Sequence, residues 1–147
     1  MNVKEILQNA RRRKMIGQGV YRRVYDLGNG YVLKVAKSEG GKRSNKREVM
    51  LYLSTPFRVR KYLGRVVGFK ADYSSIIMKK YSRSLPETEQ YRAKCLRVTH
   101  KFRKRHIIPF DIIRRGGKPN PRNIRVKDNG RVVFIDYGNF RVRRSSR

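Results

Sequence analysis

KPNPRNIRVKDNGRVVFIDYG, residues 118–138, carries the most informative pattern in this sequence. A loop rich in Gly and Pro leads into two β-rich runs, Asn123–Val126 and Arg131–Ile135, and the letters DNG between them are a turn signal. The pattern predicts a β-hairpin. Asn123 begins this hairpin and Asp136 follows it, thirteen residues later. Each of these two features is common by itself, so their meaning depends on the rest of the chain.

Strand and turn signals also fill the N-terminal part of the chain. Residues 15–37 are rich in β-formers, with Gly17 and Gly19 in the first turn. Asn29-Gly30 is typical of a two-residue hairpin connection. Further strands are predicted at 65–71 and 75–80, joined by a turn near 72–74.

Two helices are predicted before residue 60. The first covers residues 2–13, has apolar residues at helical spacing, and begins with Asn2 and Glu5 as a capping pair. The second is a short helix that follows a loop at 40–44 and ends near Pro56.

The clearest helical pattern is at residues 85–105. Ser84 and Glu87 form an S-x-x-E capping signal ahead of it. An apolar stripe at a spacing of three to four residues should face the core; its members are Tyr91, Cys95, Val98 and Phe102. Cys95 on this stripe is predicted to be a core residue and not a reactive thiol, because free cysteine packs as a small hydrophobe.

The order of these elements resembles that of a protein kinase. Ile16–Tyr25 resembles the glycine-rich loop G-x-G-x-x-G-x-V, which covers the phosphates of ATP. Gly17, Gly19 and Val24 match this loop, whereas Arg22 replaces the third glycine. An ordinary hairpin turn is the alternative interpretation of the two glycines.

Two further positions strengthen the resemblance. Lys34 stands where kinases have the V-A-I-K lysine that contacts the α- and β-phosphates, and the resemblance implies an ion pair with Glu48. A charge pair of Glu48 with Lys46 or Arg47 is the alternative. Met78 resembles the residue that guards the adenine pocket, at the end of a strand that enters the kinase hinge.

Residues 118–138 resemble the kinase catalytic loop and D-F-G motif together. The resemblance implies ATP and magnesium as cofactors, with Asn123 and Asp136 as the residues that hold the metal. The sequence departs from the pattern at Lys118, five residues before Asn123, where kinases have the aspartate that accepts the substrate proton. Asp111 is the nearest upstream carboxylate and stays an open candidate. With Lys118 at the base position, phosphotransfer is expected to be slow or absent.

The resemblance covers about residues 15–140 and implies an α+β, two-lobe kinase-like fold in a single domain, 1–147. Residues 1–80 would form a nucleotide-binding lobe with a leading helix and a mostly antiparallel sheet. Residues 81–140 would form a shortened helical lobe, followed by a frayed basic tail, 141–147. The sequence ends nine residues after Gly138, so the activation segment that docks peptides in kinases is not expected here.

Charge dominates the composition, with 39 Lys and Arg against 10 Asp and Glu, a net charge of +29. This excess predicts a polyanionic partner such as nucleic acid; a merely solvated surface is the alternative. Residues 92–127 contain thirteen Lys and Arg and one acidic residue. The predicted contact residues are Arg97, Lys101, Arg103, Lys104, Arg105, Arg114 and Arg115.

Other kinds of site have little support in the sequence. A single cysteine cannot form an internal disulfide, and two histidines without paired spacing do not suggest a zinc site. No run approaches the roughly 18 apolar residues that span a membrane, and residues 1–14 do not resemble a secretory signal. We therefore expect a cytoplasmic protein without membrane contact.

Three functions remain open. The chain could be a weak phosphotransferase of the serine/threonine type that acts on or with a macromolecular partner. It could be a pseudokinase that binds nucleotide without turnover. It could also be a nucleic-acid-binding protein that reuses a kinase-like scaffold without catalysis. A short second lobe could expose apolar surface, so docking onto a larger protein is a further expectation.

Overall fold

Five strands form an antiparallel sheet in the N-terminal half of the chain. The computed structural model describes residues 2–143, which divide into two units. The first unit contains the residues up to Ser54 together with Arg65–Lys80. Its strands are β1 (Lys14–Gln18), β2 (Arg22–Asp26), β3 (Tyr31–Ala36), β4 (Val66–Phe69) and β5 (Ser75–Lys79). They follow the order β1-β2-β3-β5-β4, which confirms the predicted strands.

Helix α1 (Val3–Gln8) precedes the sheet and has the predicted capping box. Asn2 Oδ1 accepts from the Glu5 amide at 2.9 Å, and the Glu5 carboxylate accepts from the Asn2 amide. Residues 9–13 do not continue the helix, contrary to the prediction. The reason is that the amides of Arg11 and Arg12 both donate to the carbonyl of Leu27, which draws this segment along the β2–β3 hairpin.

One face of the sheet and helix α1 share an apolar core. Four of its side chains are buried: Ile6, Leu27, Leu33 and Ile77. The packing is close, because a Cβ on Gly68 of β4 would lie 1.9 Å from a methyl carbon of Val3. Helix α1 therefore lies directly on the strand backbone.

Helix α2 (Glu39–Ser54) is longer than predicted, because residues 40–44, expected as a loop, form its first turns. Glycine is a poor helix former, but the packing requires one here. A Cβ on Gly41 would lie 2.2 Å from the carbonyl oxygen of Tyr21 and 2.9 Å from the Cα of Ala36. The helix can approach the strands only because this side chain is missing.

Gly41→Ala is therefore expected to lower the free energy of unfolding by about 2 kcal/mol, because the helix must move away from backbone atoms. Urea unfolding followed by circular dichroism measures this loss. Gly19→Ala is the matched control, since a Cβ at Gly19 meets nothing within 4 Å. Equal stability of the two variants would contradict the close-packing argument.

The second unit contains Thr55–Gly64 and the chain from Tyr81 onward. Residues 55–64 belong to it although the predicted boundary assigned all of 1–80 to the first lobe. Backbone hydrogen bonds explain this: Gly64 donates to the carbonyl of Phe134, and Phe134 donates to the carbonyl of Tyr62, each at 2.7 Å. Its elements are α3 (Phe57–Arg60), α4 (Glu89–Lys104), β6 (Ile107–Ile108), β7 (Ile124–Val126), β8 (Val132–Phe134) and β9 (Arg141–Val142).

Helix α4 begins later than predicted. Thr88 is its N-cap, and the Thr88 hydroxyl accepts from the amide of Tyr91 at 3.3 Å. Ser84 and Glu87 do not form the predicted capping box, because the chain before the helix is drawn into a β-bridge between Ser84 and Arg125. The helix start is thus decided by pairing with the hairpin β7–β8, which itself is confirmed as predicted.

The apolar stripe of α4 faces the core of the second unit. Cys95, Val98 and Phe102 are buried and Tyr91 is half-buried. Burial raises the pKa of the Cys95 thiol to about 11, so the thiol is protonated at neutral pH. The core role predicted for Cys95 is confirmed.

The chain near residue 141 is not frayed, contrary to the prediction. Strand β9 pairs with β6, with Ile107 opposite Val142 and Ile108 opposite Arg141. The amide of Arg143 also donates to the carbonyl of His106 at 2.7 Å. The rest of the predicted tail, 144–147, lies outside the described residues.

Both units combine helices with antiparallel strands, which confirms the predicted α+β class. Within residues 2–143, none of the helices has both the length and the apolar character needed to cross a bilayer.

Candidate functional site

Lys34 lies at the centre of the sheet, on β3. Val24 of β2 stands directly opposite it. Alternate residues of a strand point to the same face, so Lys34 shares its face with Val32, whose partner on β5 is Met78. Gly17 pairs with Val24 at the edge of this face. The structure therefore brings four of the predicted nucleotide-binding residues to one face of one sheet, opposite the core that includes Leu33.

The predicted ion pair between Lys34 and Glu48 is present. Lys34 Nζ lies 2.5 Å from Glu48 Oε1, and both side chains are buried. Glu48 faces the sheet from α2. Its position therefore favours the pairing with Lys34 over the alternative pairing with its helix neighbours Lys46 and Arg47. The lysine is thereby held in one orientation by a buried carboxylate.

Arg22 shares Glu48 with Lys34, a contact that the sequence did not reveal. Its two terminal nitrogens donate to the two carboxylate oxygens of Glu48 at 3.1 Å each, and one also donates to Asn45 Oδ1 at 3.0 Å. The sequence signal for this contact was Arg22 itself, a cation at the position of the third glycine of the loop pattern. Arg22 ties the glycine turn to helix α2, and the Gly19 amide, which donates to the Arg22 carbonyl, closes that turn.

Burial of Glu48 opposes its ionisation, but the charges of Arg22 and Lys34 outweigh this effect and lower the pKa of Glu48 to about 2. The carboxylate is therefore ionised at neutral pH. A second buried carboxylate, Asp26, has a structural role: hydrogen bonds from Lys80 and from the Gly28 amide hold its pKa well below the usual range.

In the second unit, Asn123 contacts Asp111. Asn123 Nδ2 donates to the backbone carbonyl of Asp111 at 3.0 Å and to its carboxylate Oδ2 at 3.2 Å. Asn120 Nδ2 donates to the same carbonyl, also at 3.0 Å. Asp111 has a φ of +59°, in the left-handed region that Asp and Asn tolerate better than most residues. The upstream carboxylate that the spacing left open is thus adjacent to the loop asparagine.

A looped-out segment explains why twelve residues of separation did not prevent this contact. Residues 112–119 form this looped-out segment, and two backbone hydrogen bonds hold its ends together. The Asn120 amide donates to the Ile112 carbonyl and the Arg114 amide donates to the Lys118 carbonyl, each at 2.8 Å. With this segment set aside, Asp111 precedes Asn123 by four positions, close to the five of the kinase pattern. Lys118 lies inside this closed segment, so its separation of five residues from Asn123 along the sequence does not measure their distance in space.

Lys118 itself lies on the looped-out segment. Its side chain is exposed and lines a cavity of about 340 Å³ with Glu87, Glu89, Arg92 and three prolines among others. The carboxylate that contacts Asn123 comes from Asp111 instead.

Asp136 is placed near Asn123 by the hairpin. The amide of the preceding residue, Ile135, donates to the carbonyl of Asn123 at 2.9 Å. Residues 2–143 contain no cluster of three or more His, Cys, Asp or Glu side chains that could hold a metal. One carboxylate with an amide oxygen is nevertheless the type of donor set that Mg²⁺ uses when phosphates supply further ligands.

The predicted polyanion-binding residues fall into two groups in the second unit. Arg97 and Lys101 line a cleft beside α4. The others are exposed outside that cleft: Arg103, Lys104 and Arg105 at the end of α4, and Arg114 and Arg115 on the looped-out segment. Lys94 and Arg131, which were not among the predicted contact residues, also line the cleft.

No protein-family model matches the sequence, and no curated protein matches it. Solved structures do match, among them the bifunctional kinase-methyltransferase WbdD, with a TM-score of 0.56 and 19% identity. The match covers 86% of this chain but 31% of the WbdD chain, so the present chain spans less than a third of that protein. This similarity confirms the predicted kinase-like two-lobe fold; at this identity it concerns the fold alone.

Proposed function

We propose that this chain is a phosphotransferase that uses Mg²⁺ and ATP, with Asp111 as its general base. The observation that carries the proposal is the contact between the Asp111 carboxylate and Asn123. It supplies the one group that the sequence pattern lacked. The pseudokinase is the competing function, and turnover distinguishes the two.

The first unit supplies groups suited to the nucleotide. Lys34 would contact the phosphates, and Glu48 positions its ammonium. Gly17 and Gly19 let the backbone approach an anion closely, since no side chain intervenes. Val24 and Met78 offer apolar surface on the same face of the sheet for an adenine ring.

The second unit supplies groups suited to the metal and the acceptor. With its Nδ2 donating to Asp111, the Asn123 amide presents Oδ1 as a ligand, and Asp136 would supply a carboxylate oxygen. Mg²⁺, when bound, would neutralise charge on the phosphates. Asp111 would accept the proton of the attacking hydroxyl, a task for which a carboxylate is suited and the protonated ammonium of Lys118 is not.

Asp136→Ala and Lys34→Met are expected to affect nucleotide binding differently. Asp136→Ala should remove the dependence of ATP affinity on magnesium. Lys34→Met should weaken ATP binding about tenfold or more with or without metal, because a hydrogen bond to a charged group contributes about 1.5–3 kcal/mol. Arg22 still pairs with Glu48 in the Lys34 variant, so the fold should be retained.

Isothermal titration calorimetry with ATP, in the presence and absence of magnesium, measures both effects. Indistinguishable behaviour of the two variants would refute the separate roles. Absence of any heat from the unmodified chain at millimolar ATP with magnesium would refute nucleotide binding itself.

A further inference from the structure

Four basic side chains converge on a cleft between helix α4 and the turn of the β7–β8 hairpin. The cleft has a volume of about 390 Å³. It is lined by Tyr62, Lys94, Arg97, Val98, Lys101, Asn129, Gly130, Arg131 and Val132. None of these residues is acidic, so the cleft concentrates positive charge in a concave surface.

Helical spacing places three of these cations in a row. Lys94, Arg97 and Lys101 follow one another at three and four residues, on one side of α4. At 1.5 Å per residue the row extends about 10 Å. Arg131 approaches from the hairpin, so two elements supply the charge.

Lys94 is held in place by its surroundings. Its Nζ donates to the carbonyl of Gly130 at 3.3 Å and lies 4.6 Å from the centre of the Tyr91 ring. A restrained cation loses less side-chain entropy on binding than a free one. The cleft is therefore partly organised for an anion before binding.

We propose that this cleft binds the phosphodiester backbone of a nucleic acid. One strand of a duplex carries a phosphate about every 3.4 Å of helix axis, so about three phosphates match the row on α4. Contacts of this kind position a nucleic acid without reading its bases, and weak sequence preference follows.

An anionic membrane is the other polyanion that could attract this charge, but the shape of the site favours a strand. Proteins that bind bilayers in the interface present exposed apolar side chains alongside their cations. Val98 and Val132 of this cleft are buried and Tyr62 is half-buried, so none of the lining residues presents a fully exposed apolar side chain. The cations surround a concavity that a flat headgroup layer does not fill.

The test is fluorescence anisotropy of a labelled 20-base-pair DNA duplex with the full chain between 50 and 200 mM salt. Four phosphate contacts give a log–log slope of about −3.6, an affinity loss on the order of 10² over this range. Arg97→Gln with Lys101→Gln should halve the slope, leaving a loss of about tenfold. Both side chains are exposed, so the fold should tolerate their replacement.

The matched control, Lys4→Gln with Arg43→Gln, removes the same charge from exposed positions of the first unit and should leave the slope nearly unchanged. Equal effects of the two double variants would show diffuse charge attraction and overturn the proposal. A larger effect of replacing Arg103, Lys104 and Arg105 by glutamine would place binding at the end of α4 and also overturn it. The proposal would also be overturned if duplex DNA failed to displace the chain from phosphatidylserine vesicles, or if the chain did not bind the duplex at 50 mM salt.

Discussion

Asp111→Asn is expected to lower the rate of ATP turnover by about 10²- to 10⁴-fold, the usual contribution of a general base. Asparagine has nearly the shape of aspartate and tolerates the same left-handed backbone, so the loop should keep its conformation. The backbone carbonyl of residue 111 still accepts from Asn120 and Asn123. The variant thus removes proton acceptance with little other change.

The measurement is single-turnover release of γ-phosphate from radiolabelled ATP, with calorimetric ATP affinity as the parallel readout. ATP affinity should be unchanged, because the proposed nucleotide ligands are intact. Lys118→Ala is the control and should leave turnover nearly unchanged, since Lys118 lies on the looped-out segment. A loss with Lys118→Ala and none with Asp111→Asn would restore Lys118 to the catalytic position and refute the assignment. An unmodified chain that binds ATP but shows no turnover would be a pseudokinase.

Glu48→Gln is expected to lower the free energy of unfolding by about 3–5 kcal/mol, because it leaves Arg22 and Lys34 buried without their carboxylate. For a chain of this size the melting temperature should fall by about 10–16 °C. Glu39→Gln is the matched control on the same helix: its ion pair with Lys42 is exposed and contributes at most about 1 kcal/mol. Thermal unfolding followed by circular dichroism compares the two.

The pH dependence of stability gives an independent measure of Glu48. Its pKa falls from an ordinary value of about 4.5 to about 2 on folding, so the unfolded chain binds its proton first. The stabilisation is complete above about pH 5 and is lost as the pH falls from about 4.5 to 2. Between these limits the unmodified chain should lose about 3 kcal/mol more than Glu48→Gln. Parallel curves for the two proteins would mean that the carboxylate is not held in its ionised form by Arg22 and Lys34.

Much of the fold could be predicted from local sequence patterns. The strands and turns of 15–37 and 123–135 follow from β-formers and from turn residues within a few positions. The Asn2 cap follows from its contact with Glu5, three residues later. The kinase-like interpretation located Lys34 and Glu48 because strand β3 and helix α2 are regular elements. Regular geometry places residues at known positions once the elements are identified.

Other features follow from long-range backbone pairing, which local patterns do not encode. Thr88 replaces Ser84 as the cap because Ser84 pairs with Arg125, forty-one residues away. Residues 141–142 form a strand because β6 offers an edge. In each case backbone groups form hydrogen bonds with a distant segment. The free-energy cost of leaving such groups unpaired outweighs the local conformational propensity.

The functional groups divide in the same way. By itself the sequence determined that a lysine, a glutamate, an asparagine and an aspartate stand in kinase order. Only the tertiary structure decided that Arg22 shares Glu48 and that Asp111, not Lys118, contacts Asn123. The number of residues between two positions indicates their distance in space only within regular helices and strands. Hydrogen bonds hold the two ends of the looped-out segment, residues 112–119, close together, whatever the number of residues between them.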